Sequence, residues 1–226
     1  VMGRALLADP ELANKARAGR FDQIAPCIGC GLGCVVAREQ GGDMTCLVNP
    51  ELGREGEGRI APAGRPRKVL VAGAGPAGLM AAWTAARRGH QVCLCERESR
   101  PGGMFNLAAA GEGKQELTRV VQFLAARAEQ AGVRLRYGRE VDSALLAEEA
   151  PEALLVATGG QPCAELPGSG GPNQLCAADL LAGKVPRPSG RVLVAGGGTV
   201  GCETAEMLAA PGFQPAEVTV VEKREA

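Results

Sequence analysis

Val69-Leu70-Val71-Ala72-Gly73-Ala74-Gly75-Pro76-Ala77-Gly78 reads as a strand that runs into a glycine turn and then a helix. Four apolar residues in a row suit a strand covered on both faces, as in a parallel sheet. The glycines follow the pattern Gly-x-Gly-x-x-Gly. Gly73 permits a tight turn, Gly75 lets backbone approach a pyrophosphate, and Gly78 lets the helix lie close to the strand. A helix that starts there aims free N–H groups and partial positive charge at phosphates. Gly-rich turns are common, so the surroundings decide. Residues 77–88 are Ala-rich and stop near Gly89, and residues 91–96 form a second apolar strand closing on Glu96. Glu96 lies 18 residues beyond Gly78, placed to accept hydrogen bonds from a ribose diol.

The same phrase returns downstream. VLVAGGGTVG at residues 192–201 repeats VLVAGAGPAG at 69–78, 123 residues apart and too far for a solenoid repeat. Gly196, Gly198 and Gly201 supply the second fingerprint, with a helix expected over 199–210 and a strand over 217–222. Glu222 closes that strand, 21 residues past Gly201. An acid there repels a 2′-phosphate and favours NADH, while Lys223 and Arg224 pull toward NADPH. Between the repeats, residues 114–131 carry Leu117, Val120, Val121 and Leu124 at helical spacing. Strands are expected over 133–137 and, as a buried run, over 153–157. The fold class is therefore α/β, with two Rossmann-like βαβ repeats that bind dinucleotides.

Upstream, Cys27, Cys30, Cys34 and Cys46 read C-x2-C-x3-C-x11-C among glycines 29, 31 and 33. Such a stretch has little periodicity of its own and is expected to be loop held by a metal centre. Four thiolates serve a [4Fe–4S] cluster or structural zinc. Three close ligands and one remote favour iron–sulfur over the paired knuckles usual for zinc. Cys93 and Cys95 alternate on a buried strand and read as small hydrophobes. Cys163, Cys176 and Cys202 have no partner in sequence, and His90 reads as a turn residue. Residues 6–19 read as one helix, with Asp9 as cap, Pro10 in the first turn and Gly19 at the end. Residues 53–66 form a Gly-, Pro- and Arg-rich linker.

Composition narrows the class. The chain has 226 residues with 25 basic and 25 acidic side chains, so no net charge draws it to nucleic acid or an anionic membrane. No apolar run reaches the roughly 18 residues of a membrane span. No signal peptide is visible, and nine cysteines argue for reduced thiols rather than a disulfide scaffold, so a cytoplasmic location is expected. The 33 glycines are about twice the average usage of roughly 7% and gather at turns. Both ends look cut, and a segment of a longer polypeptide is expected; the oligomeric state is not legible.

Several stretches jointly resemble one family. They are MGRALLADPELANKARAGRFDQIAPCIGCGLGC (2–34), TCLVNP (45–50), VLVAGAGPAGL (69–79), ARRGHQV (86–92) and GGMFNLA (102–108). Together they resemble the iron–sulfur flavoenzymes of the old yellow enzyme group: 2,4-dienoyl-CoA reductase, 2-enoate reductase and trimethylamine dehydrogenase. The resemblance implies four segments: residues 1–25 as the tail of an FMN-binding TIM barrel, 26–65 as the iron–sulfur segment and linker, 66–188 as the FAD-binding domain, and 189–226 as the start of an NAD(P)H-binding domain. It implies that Gly3 and Arg4 lie near the FMN phosphate. It further implies that FAD is held by Gly73, Gly75, Pro76, Gly78, Glu96, the Gly102-Gly103 loop and the strand end at Thr158-Gly159. Implied too is a relay from NAD(P)H through FAD and a [4Fe–4S] cluster to FMN, which reduces an activated C=C bond of a small-molecule substrate. In the amine dehydrogenase variant an amine is oxidised instead and the second nucleotide site holds ADP; the complete second fingerprint favours the first direction. A reading from another class is a non-catalytic nucleotide-binding module with structural zinc. No substrate-handling residue is legible in this stretch.

Overall fold

The computed structural model describes residues 2–57, 60–111, 113–161, 171–210 and 215–223. Residues 162–170 with Cys163, residues 211–214, and residues 224–226 with Arg224 lie outside the described residues. Packing divides the chain into two compact units, Val1–Phe105 with Glu116–Gly159, and Asn106–Gln115 with Gly160–Ala226. These units are defined by packing, while the four segments expected from sequence are defined by the cofactor each would hold.

The first unit opens with two short helices, α1 (Gly3–Ala8) and α2 (Leu12–Arg17), where the sequence suggested one. Pro10 lacks the N–H that a continuous helix would use. Asp9 turns the corner: its buried carboxylate accepts from Glu11 N at 3.0 Å, Lys15 Nζ at 2.6 Å and Ala25 N at 2.8 Å. Gly19 ends α2 at a φ of 70°. A 3-10 turn (Phe21–Gln23) leads to the cysteine segment, which contains one π turn (Leu32–Val36) and a single helical turn, α3 (Ala37–Glu39).

The sheet follows. Strands β1 (Lys68–Ala72) and β2 (Gln91–Glu96) flank helix α4 (Pro76–Arg87) in sequence. Helix α5 (Met104–Ala108) and a 3-10 turn (Gln115–Leu117) precede α6 (Thr118–Gln130), β3 (Arg134–Tyr137), α7 (Ser143–Glu149) and β4 (Ala153–Val156). The four strands are all parallel, in the order β3-β2-β1-β4. Alternation along the strands builds two cores. Val69, Val71, Val92 and Leu94 meet Leu79 and Ala82 of α4 and Val120, Val121, Leu124 and Ala128 of α6. On the other face Leu70, Cys93 and Cys95 meet Leu145 of α7. Residues 153–157 depart from the expected buried run: β4 is an edge strand, with β1 as its one neighbour among the described residues, and Val156 is 71% exposed.

The second unit carries α8 (Ala177–Leu181), β5 (Gly190–Ala195), α9 (Thr199–Ala209) and β6 (Pro215–Val221). β5 and β6 pair in parallel, and Thr204 and Leu208 of α9 are buried. Lys114 and Glu203 form an ion pair within this unit. Among the described residues no helix is long and apolar enough to cross a membrane.

Candidate functional site

Three local constructions stand out, and each begins at a glycine turn. At the first fingerprint Gly73 has a φ of 103°, which favours a residue without Cβ. A Cβ there would also lie 2.9 Å from the Ala157 carbonyl carbon and closer still to its oxygen. A Cβ on Gly78 would overlap the Gly73 carbonyl oxygen. Gly75 caps α4 and a Cβ on it would meet open space, so this backbone is the part left free for a ligand. Pro76 takes the first helical position, where its missing N–H costs nothing. The Gly102-Gly103 loop lies against this turn: Gly102 N donates to Ala74 O at 2.9 Å, and a Cβ on Gly103 would come 3.7 Å from Gly75 Cα. Thr158 and Gly159 follow β4; a Cβ on Gly73 would lie 3.2 Å from Thr158 Cα, and Gly159 has a φ of 73°. The expected FAD residues of the first unit therefore converge on one turn, and its open glycine cradle fits a pyrophosphate.

Glu96 sits where a ribose acceptor belongs, yet its carboxylate already has partners. Oε2 accepts from Ala74 N at 2.7 Å and Oε1 from Glu98 N at 2.9 Å. The second fingerprint repeats this. Glu222 Oε2 accepts from Gly197 N and Oε1 from Lys223 N, both at 2.7 Å. Gly196 has a φ of 108°, Gly198 caps α9, and a Cβ on Gly201 would overlap the Gly196 carbonyl oxygen. A Cβ on Gly196 itself would meet nothing within 4 Å. These carboxylate–amide bonds are the functional detail that the sequence missed, because the donors are backbone groups at residues of no special type.

The third construction is the cysteine segment. Gly31 adopts the left-handed conformation at a φ of 68° and starts the π turn, its carbonyl accepting from both Val35 N and Val36 N at 3.0 Å. Thr45 N donates to Gly33 O at 3.1 Å, which ties the distal Cys46 to the turn bearing Cys34. A Cβ on Gly33 would collide with Thr45 backbone. Asn49 Nδ2 donates to Leu7 O at 2.9 Å and anchors the far side to α1. As a result Cys27, Cys30, Cys34 and Cys46 all line one small cavity, with Arg4 and Leu7 on its rim. No three His, Cys, Asp or Glu side chains among the described residues are drawn together at the spacing of a single-ion site. In chemistry the donor set fits iron–sulfur: four soft sulfur ligands on glycine-rich backbone. Arg4 thus lies at the cysteine cavity, and Gly3 opens α1.

The remaining thiols play other parts. Cys93 and Cys95 are buried with sulfurs 3.8 Å apart. Burial, and then the neighbouring Cys93, push the Cys95 thiol up to about 12, which keeps it protonated and unreactive. The Cys202 thiol donates to Gly197 O at 3.1 Å, and Cys176 precedes α8. His90 Nδ1 accepts from Arg67 N at 3.1 Å, joining a turn to the start of β1.

The chain is similar to several known proteins. Residues 67–226 match the family described as pyridine nucleotide-disulphide oxidoreductase. The NADH oxidase of Thermoanaerobacter brockii is 43% identical over 98% of this chain and 34% of its own length. The cinnamate reductase of Clostridium sporogenes is 34% identical over 98% of this chain and 32% of its own length. The solved structure of a 2-naphthoyl-CoA reductase complex aligns with a TM-score of 0.91 and 34% identity, over 99% of this chain and 34% of that one. Amine dehydrogenases match as well. The chain spans about a third of the length of the curated relatives it matches. It belongs to the pyridine nucleotide-disulphide oxidoreductase family, as the nucleotide-binding portion of an oxidoreductase related to the iron–sulfur flavoenzymes of the old yellow enzyme group.

Proposed function

We propose that this chain is the electron-transfer portion of an NAD(P)H-dependent reductase of activated C=C bonds, of the enoate or dienoyl-CoA type. The observation that carries this reading is the lining of one cavity by four thiols, in the same compact unit as the first fingerprint. Gly73, Gly75, Pro76 and Gly78 would hold the FAD pyrophosphate, with Gly102, Gly103, Thr158 and Gly159 beside it and Glu96 toward the ribose. Gly196, Gly198, Gly201 and Glu222 would hold NADH or NADPH. Cys27, Cys30, Cys34 and Cys46 would ligate a [4Fe–4S] cluster, and Arg4, with Gly3, would serve the phosphate of FMN. Once bound, these groups supply the chemistry: a flavin accepts the two electrons of a hydride, and a cluster carries one at a time. The chain's own task is to fix the glycine loops, exclude side chains from the phosphates and keep the four thiols around one cavity.

Relatives named for reducing cinnamate and 2-naphthoyl-CoA support the direction of flow. Amine dehydrogenases among the matches favour a second reading, in which electrons arrive from an amine and the second nucleotide site holds ADP. A complete second loop, with its carboxylate in place, argues for the nicotinamide nucleotide. The test is a visible spectrum of the whole protein with iron and acid-labile sulfide analysis. Flavin bands over broad absorption near about 400 nm are expected, and Cys34→Ser should remove the broad absorption while leaving the flavin bands. Colourless protein carrying zinc would contradict the assignment.

A further inference from the structure

The acid at the end of a nucleotide-binding strand is usually credited with one task, holding a ribose. Here the same carboxylate is bound twice over to backbone before any ligand arrives. In the first repeat Gly73 N donates to Cys95 O at 2.8 Å, and the next amide, Ala74 N, donates to Glu96 Oε2 at 2.7 Å. In the second, Gly196 N donates to Val221 O at 2.8 Å, and Gly197 N donates to Glu222 Oε2 at 2.7 Å. The other oxygen of each acid accepts from the chain just beyond the strand, from Glu98 N or from Lys223 N. The loop-side bond recurs in two loops 123 residues apart, while the far-side donor is the second residue after the acid in the first repeat and the next residue in the second.

We infer that Glu96 and Glu222 are positioning residues that clasp their glycine loops. Each carboxylate joins the first amide after the leading glycine to the backbone that leaves the strand. Drawing that amide toward the acid leaves the backbone from Gly75 or Gly198 onward, at the start of the helix, to face a pyrophosphate. It also fixes the carboxylate in place. Charge-assisted bonds to amides are the stronger kind. At Glu96 the clasp is sheltered, since the residue is 7% exposed; Glu222 is exposed, where water competes.

The clasp has a chemical signature that ribose binding lacks. Two amide donors need two acceptor oxygens, and the side-chain amide of glutamine offers one. Its NH2 group would face a backbone N–H with no acceptor between them. A ribose hydroxyl both donates and accepts, so glutamine could still serve a sugar. Glu96→Gln therefore separates the two roles. The inference rests on the first loop being a nucleotide site only for its consequence in binding, not for the clasp itself.

The experiment measures amide hydrogen exchange in the whole protein stripped of nucleotide, alongside titration with FAD. In the stripped wild type, Ala74 and Gly197 should be protected. Glu96→Gln should raise exchange at Ala74 by at least about tenfold and weaken FAD binding as much as Glu96→Ala does. Glu222→Gln should release Gly197 by a smaller factor. Free exchange at Ala74 in stripped wild type would overturn the inference, and so would a Gln variant that keeps both protection and FAD affinity while Ala loses affinity. Should the Glu96 variants not fold, wild-type exchange and Glu222→Gln decide it. Protected Ala74 in a protein that never binds FAD would leave the clasp standing and defeat the nucleotide assignment instead.

Discussion

Leu79 follows the last glycine of the first fingerprint and is fully buried; Cys202 follows the last glycine of the second and is exposed. The two loops share their carboxylate–loop hydrogen bonds, their positive-φ leading glycines and their terminal acids. They differ in what surrounds them. β1 lies between β2 and β4 with α4 and α6 over one face, whereas among the described residues β5 has one strand neighbour and Leu193 is 65% exposed. Loop geometry is thus local, written in a few residues, while rigidity comes from layers that each repeat acquires separately. The same sentence of sequence can therefore specify the same cradle in surroundings that, among the described residues, are unequally buried.

Substitutions at matched positions should expose that inequality. The largest expected effect is at the position just noted. Leu79→Ala should cost about 2–5 kcal/mol, and Cys202→Ala less than about 0.5 kcal/mol, read by chemical unfolding of the whole protein. Equal costs would break the comparison. Next come the leading glycines. Gly73→Ala and Gly196→Ala both force alanine to a positive φ, but only the first drives Cβ into Ala157. Gly73→Ala should be worse by about 1–3 kcal/mol and should weaken FAD more than Gly196→Ala weakens NADH.

A smaller effect tests the charged edge of the first unit. Glu149 of α7 is buried; burial alone would raise its pKa, but Arg134, Lys68 and Arg136 outweigh that and hold it below the ordinary 4.5. Arg136 Nη1 lies 2.9 Å from Oε1 and Lys68 Nζ 3.7 Å from Oε2. A depressed carboxylate stabilises fully above its unfolded pKa and loses that contribution as pH falls through the folded one. Glu149→Gln should therefore lower the melting temperature of the first unit by a few degrees near neutral pH, with the gap closing below pH 4.5. A gap that persists in acid would place the effect in packing rather than charge.

What the sequence revealed follows the same division between local and acquired properties. The strands at 68–72 and 91–96, the helix of α4 and the amphipathic face of α6 were legible because periodicity and glycine spacing are written locally. The break between α1 and α2 was not legible: Asp9 reads as the cap and Pro10 as the first turn of one helix over 6–19, and the distant Ala25 amide that fixes the corner is invisible in sequence. Helix α7 went unread although Asp142 caps it, accepting from Leu145 N at 2.8 Å, because seven residues give periodicity little to act on. The exposure of β4 could not be read from an apolar run, since burial belongs to neighbours. The cysteine spacing announced a shared site, but the Thr45–Gly33 bond that brings Cys46 to it is between backbone atoms. The clasp of Glu96 escaped for the same reason.

Anaerobic titration of the whole protein with NADH, followed in the visible, tests the central claim most directly. If the second fingerprint delivers nicotinamide electrons to a flavin held by the first, NADH should bleach the flavin bands, and the broad absorption of the cluster should fall with them. Flavin bands that stay unchanged with NADH and with NADPH, yet bleach with dithionite, would contradict it.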